Sequence, residues 1–162
     1  MQENYPYDAV LIDSCAFDPK CTAENQTALE IFELGQSELL FVGIAHSTEK
    51  EIEHPNTPAW VKQKALELIF TVDVGLTQRE RQLLVQIEQI LAGNGKIEKF
   101  KSDAEHIFEA QKYGANFITT DGRILKKAPP LQNLCKIRIF KPSEYLFYFK
   151  RSLRQLPCRT RS

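Results

Sequence analysis

The sequence predicts an α/β fold of three layers, α/β/α, around a mostly parallel sheet of about five strands. Two observations point there. Apolar residues run continuously at 9–12 and 39–42 instead of alternating with polar ones, as expected of strands covered on both faces. Between such runs lie longer, capped stretches with helical spacing, and their length suits the crossovers that parallel strands require. A chain of 162 residues has room for one such domain.

The elements follow in order. The run 9–12 is the first strand. A helix over 22–34 carries Leu29, Ile31, Phe32 and Leu34, with Gly35 just past its end. The run 39–42 is the second strand. Ser47 opens a short helix bearing Glu49, Glu51 and Glu53. Thr57 and Pro58 are a suitable N-cap and first residue for a helix over 59–68, which leads into a strand at 69–74. Thr77 and Glu80 form a capping box for a helix that Gly93, Asn94 and Gly95 stop. Ser102 and Glu105 have the same spacing before a helix that Gly114 ends. Strands at 116–120 and 135–140 and an amphipathic helix over 143–153 complete the pattern.

Composition narrows the function classes. Apolar residues are 43% of the chain and charged residues 26%, the balance of an ordinary globular domain. No apolar run approaches the roughly 20 residues of a bilayer span, and the N-terminus lacks the basic and apolar regions of a signal peptide. A cytoplasmic protein without a membrane role is expected. Cys15, Cys21, Cys135 and Cys158 lack the spacing of a zinc site or disulfide framework and read as reduced thiols. Net charge is zero, yet residues from 141 onward carry six basic side chains against Glu144 alone, a net +5, which leaves −5 for the 140 before them. A basic end beside an acidic body suits a protein holding cations in its body and a polyanion at its edge.

In an open parallel sheet, function gathers beyond the carboxyl ends of the strands. Asp13 directly follows the first strand and Asp121 follows the strand at 116–120. Asp103 sits in the first turn of a helix, and Glu51 lies on the short helix after the second strand. Singly, each has a structural explanation: a helix dipole favours Asp103 and a turn favours Asp121 before Gly122. Together they make an acidic group suited to Mg²⁺ or Mn²⁺, hard ions that take carboxylate oxygens and leave positions for phosphate.

The segment 10–15, Val-Leu-Ile-Asp-Ser-Cys, and residues 102–121 carry a more specific pattern. In the second, an aspartate opens a helix, Gly114-Ala115 turns, and a strand ends Thr119-Thr120-Asp121. Together with Ile44 to Ile52 these segments resemble the PIN domain, a fold typical of ribonucleases in toxin–antitoxin pairs and in RNA maturation and decay. The likeness runs over about residues 8–140. It implies a PIN-like nuclease domain over 1–142, followed by a C-terminal amphipathic helix and basic tail over 143–162. It also implies that Asp13, Glu51, Asp103 and Asp121 hold one or two Mg²⁺ or Mn²⁺ ions for hydrolysis of RNA by water. Thr119 and Ser14 would support the site, and Arg123, Lys126 and Lys127 would position phosphates. The sequence departs from the family at Cys15, where Asn is common, and Glu49, Glu51 and Glu53 compete for the middle acid, with Glu51 best spaced. These departures support an alternative, a catalytically degenerate PIN-like module that binds RNA or a protein.

Other constellations carry less. Glu51 and His54 are spaced as a ligand pair, but Pro55 ends their helix and favours a surface place. His106 stands one turn after Asp103 and reads as a satisfied helical histidine. Cys15 replaces the second aspartate of haloacid-dehalogenase phosphatases, and a receiver domain would need an acidic pair at the first strand. Trp60 and residues 145–149 offer aromatic surface for core, bases or a partner. The apolar face of the last helix suits a homodimer or an inhibitory protein partner.

Overall fold

The runs read as buried strands do pair side by side, and their order decides where the chain's acids meet. The computed structural model describes residues 8–17, 22–35, 40–53, 55, 57, 59–69 and 75–154. Their elements are β1 (Asp8–Ile12), α1 (Ala23–Leu34), β2 (Leu40–Gly43), α2 (Glu49–Ile52), α3 (Ala59–Leu68), α4 (Gln78–Ala92), α5 (Lys101–Lys112), β3 (Asn116–Ile118), α6 (Gly122–Lys126), α7 (Ala128–Cys135), β4 (Ile139–Phe140) and α8 (Pro142–Arg154). The sheet order is β2-β1-β3-β4, and every pairing is parallel.

Alternation along β1 sends side chains to both faces. Val10 and Ile12 join a core with Ile31 and Phe32 of α1 and with Tyr145 and Phe149 of α8. Leu11 joins the opposite core with Ile87 of α4, Ile107 of α5, Ile124 of α6 and Leu131 of α7. Full burial of an aliphatic side chain contributes about 1.5–3 kcal/mol, so these residues of β1, at most 1% exposed, set the strand's place at the centre. The aromatic face of α8 is covered from within the chain: Tyr145 is fully buried and stacks with Phe149. Phe147, 70% exposed, points away. Among the described residues no helix is long and apolar enough to cross a membrane.

Local signals account for most element boundaries. Thr22 accepts the Asn25 N–H at 3.3 Å to start α1. Thr77 and Glu80 form the expected capping box, with Thr77 N–H donating to Glu80 Oε2 at 2.8 Å. Gly114 takes a positive φ of 66°, and Ala115 N–H reaches back to the Ala110 carbonyl at 2.8 Å, closing α5 and aiming the chain into β3. Gly35 serves by its size. A Cβ there would lie 2.6 Å from Val42 Cβ, so Gly35→Ala is expected to cost about 1–3 kcal/mol by overpacking. Urea denaturation measures this; an unchanged midpoint would show that α1 and β2 have room to part.

Several expectations need correction. The described residues contain four strands, not about five. Of the strand expected at 69–74, Ile69 makes an isolated parallel bridge with Ile44, and residues 70–74 lie outside the described residues. The strand expected at 135–140 shrinks to Ile139–Phe140, because α7 runs through Cys135 and Lys136 closes it with a left-handed backbone, φ 58°. That helix was not anticipated; Pro129 and Pro130 stand in its first turn, where the missing N–H groups would be unpaired anyway. Ser102 is not a cap. The helix begins at Lys101 after Phe100, which supplies no side-chain cap, and Ser102 sits inside its first turn.

Candidate metal centre

With order β2-β1-β3-β4, the chain leaves β1 to one side for β2 and later returns on the other side for β3. The ends of β1 and β3 therefore flank the switch point of the sheet, where open parallel sheets form their clefts. Asp13 follows β1, and its N–H extends the ladder to the Ile118 carbonyl at 2.9 Å. The residue, 4% exposed, is held at this edge.

Three groups fix the Asp13 carboxylate. Thr119, fully buried past β3, donates its hydroxyl to Oδ2 at 2.7 Å. The Cys15 thiol donates to the same oxygen at 3.2 Å. His106 Nδ1 lies 3.3 Å from Oδ1 as an ion-pair contact that is not aligned as a hydrogen bond. Burial pushes the Asp13 pKa up, but His106 with the Thr119 and Cys15 hydrogen bonds outweighs it and lowers the pKa below the usual carboxylate value. Burial, then the Asp13 charge, pushes the Cys15 thiol up to about 12. Cys15 therefore stays a neutral donor that orients Asp13.

Glu51 reaches the same place from α2. The turn before that helix is anchored to α5 by Glu109, which accepts the Ser47 N–H at 3.1 Å. Ser14 donates its hydroxyl to Glu51 Oε2, and Ser102 donates to Oε1. Glu49 turns instead to His46, at 3.5 Å, and Glu53 is exposed. Of the three competing glutamates, Glu51 faces the cluster. His54 lies outside the described residues, as do Cys21, Cys158, Arg159 and Arg161.

His106 is the residue that sequence reasoning undervalued. It is fully buried, with Nδ1 beside Asp13 and Nε2 3.9 Å from Glu51 Oε1. Burial works against its charge, but Asp13, then Glu51 and Asp103, raise its pKa to about 9. The one available signal was its spacing of three from Asp103 on a helix whose neighbouring positions, Ala104, Ile107 and Phe108, pack on the sheet. Asp13, Glu51 and His106 each offer one donor atom within 4.8 Å of the others, and together they form a cluster that could hold a metal ion.

Asp103 and Asp121 stand apart from that trio. Asp121 caps α6 by accepting the Arg123 N–H at 2.7 Å, and its carboxylate also takes Arg123 Nε at 3.1 Å and Nη2 at 2.5 Å. Hydrogen bonding from Arg123 holds the Asp121 pKa below the usual value. Arg123 Nη2 lies 3.6 Å from Asp103 Oδ2, an oxygen that is buried and has no hydrogen-bond partner. Burial and the nearby Asp13 charge push Asp103 up to about 6. Lys126 is exposed at the end of α6. The Lys127 ammonium lies against Gly93, 3.4 Å from where a Cβ would stand, at the negative end of the α4 dipole.

No protein-family model matches this sequence, and no curated protein matches it. The functional reading therefore rests on the site itself.

Proposed function

We propose that this chain is a divalent-metal-dependent endoribonuclease of the PIN type, hydrolysing RNA phosphodiester bonds with water as nucleophile. The observation that carries the reading is the meeting of Asp13, Glu51 and His106 at the switch point of a parallel sheet. Asp103 Oδ2, without a hydrogen bond but 3.6 Å from Arg123, lies in the same electrostatic neighbourhood. Two carboxylates and an imidazole suit Mn²⁺, and the carboxylates also suit Mg²⁺. Such an ion supplies an activated water and positive charge against the phosphate.

The chain's own residues have separate tasks. Thr119 and Cys15 keep Asp13 in one orientation, and Ser14 and Ser102 do the same for Glu51. Hydrogen-bonded supports of this kind hold donors at a fixed separation without carrying charge themselves. Asp103, its pKa raised to about 6, is the carboxylate suited to take up a proton as a nucleophile forms. Lys126 faces solvent, where its charge attracts the RNA backbone, whereas the charge of Arg123 is paired with Asp121.

A second reading has its own observation. His106 and Arg123 already neutralise the carboxylates, which supports a catalytically degenerate module that binds RNA or a protein. Cleavage of labelled RNA in Mn²⁺, Mg²⁺ and EDTA separates the two readings. The wild type is expected to cut with metal and not with EDTA, at a rate that rises with pH through about 6 as Asp103 loses its proton. Asp103→Asn is expected to be about 100-fold slower. Equal turnover by both proteins, or none by either, would sink the catalytic assignment and leave the binding module.

A further inference from the structure

We propose that Arg123 is a built-in cation occupying the Asp103–Asp121 side of the cleft, so that the site takes one divalent ion, at Asp13, Glu51 and His106, and not two. The inference rests on the metal-dependent reading above and adds the stoichiometry of that site and the group that sets it.

The geometry divides the acids into two sets. Both oxygens of Asp121 are engaged by a single residue: Oδ1 by the Arg123 N–H at 2.7 Å and Nε at 3.1 Å, Oδ2 by Nε at 3.1 Å and Nη2 at 2.5 Å. The same Nη2 is 3.6 Å from Asp103 Oδ2, so one guanidinium nitrogen stands between the two carboxylates. The ring of Phe100 lies under the guanidinium, its centroid 5.6 Å from the guanidinium carbon. In the Asp13, Glu51 and His106 set the cation is the His106 imidazolium, which, unlike a guanidinium, can give up its proton and become a metal ligand. The carboxylate oxygens of this set meet hydroxyls, a thiol and the imidazole, and no lysine or arginine ion-pairs with Asp13 or Glu51 among the described residues.

Chemistry makes this division consequential. Two-ion phosphodiesterases set their ions about 3.5–4 Å apart, each against carboxylate oxygens. A second ion here would have to displace a forked, charge-assisted pair and accept a permanent positive charge as neighbour. Arginine keeps its charge at every working pH, so the occupation is constant. In exchange, the guanidinium, on a side chain that is 61% exposed, keeps a fixed positive charge on this side of the cleft.

Calorimetric and electron-paramagnetic-resonance titration of the full chain with Mn²⁺ tests this, with no need for turnover. Wild type is expected to bind one Mn²⁺ per chain. Arg123→Ala is expected to bind a second, weaker ion and to show the spin-coupled signal of a Mn²⁺ pair. Arg123→Gln, which keeps hydrogen-bonding capacity and loses the charge, should behave the same and decides the matter if the alanine variant does not fold. Two ions in the wild type, or one ion in wild type and both variants, would overturn the inference while leaving the metal-dependent reading intact. No ion in the wild type would overturn that reading itself, and the inference with it.

Discussion

Asp13→Asn is expected to lower metal-dependent RNA cleavage by about a thousandfold, the loss of several kcal/mol of charge stabilisation at 1.36 kcal/mol per tenfold. Asp13 has no substitute in the cleft. It is nearly buried at the end of the central strand, and it belongs to the trio whose donor atoms converge within 4.8 Å. Asparagine matches its shape and removes the charge that the proposed ion requires. It also turns an NH₂ group toward at least one of the groups that now donate, Thr119 at 2.7 Å and Cys15 at 3.2 Å, or exposes it to His106. Calorimetry should show loss of Mn²⁺ binding in parallel, and a melting curve in EDTA separates this from unfolding. Turnover within threefold of wild type in a folded variant would remove Asp13 from the reaction.

The second large effect concerns stability. His106→Gln is expected to cost about 3 kcal/mol in EDTA near neutral pH, because it leaves the buried Asp13 carboxylate without its cation. At roughly 2–4 °C per kcal/mol for a chain of this size, the melting temperature should fall by roughly 6–12 °C. The pH dependence has a definite sign. The His106 pKa rises from 6.5 in the unfolded chain to about 9 in the fold. Its contribution is therefore fully present below 6.5 and is lost as pH climbs through about 9. Asp13 acts in the opposite direction: its lowered pKa adds stability above the unfolded value of 3.8, and acidification through the lowered folded pKa removes it. The pair thus stabilises most between about 4 and 6.5, and its contribution declines from there to about 9. Wild-type melting should decline more steeply than the variant's from pH 7 to 10; parallel curves would show that His106 is not charged in the fold.

Both effects come from residues whose places were legible to different degrees. Asp13 was readable because it ends a run buried on both faces, and a charged residue there must emerge at a sheet edge. Asp121 was readable as the acid after a later strand, and Glu51 as the best-spaced of three glutamates on a short helix. The capping box of Thr77 and Glu80 and the turn at Gly114 were equally plain, since each depends on a few consecutive residues. Ser102 shows the limit of that method. It has the spacing of a cap, yet its hydroxyl is drawn to Glu51, 51 residues away in sequence. Likewise α7 was not anticipated: Pro129 and Pro130 fit a helix only in its first turn, and the sequence does not say where that turn begins.

From the sequence alone came the α/β class with its parallel sheet and the acids at the strand ends, because strand burial, helix caps and turns are written in local patterns. The four-strand order, which brings Thr119 to Asp13 across 106 positions, belongs to tertiary structure. So does the division of the acids: Asp13 and Glu51 with His106, Asp103 and Asp121 with Arg123. That division follows from which side chains meet when β3 returns beside β1. Charge compensation between residues so distant in sequence is settled by burial and distance, and no local pattern records either.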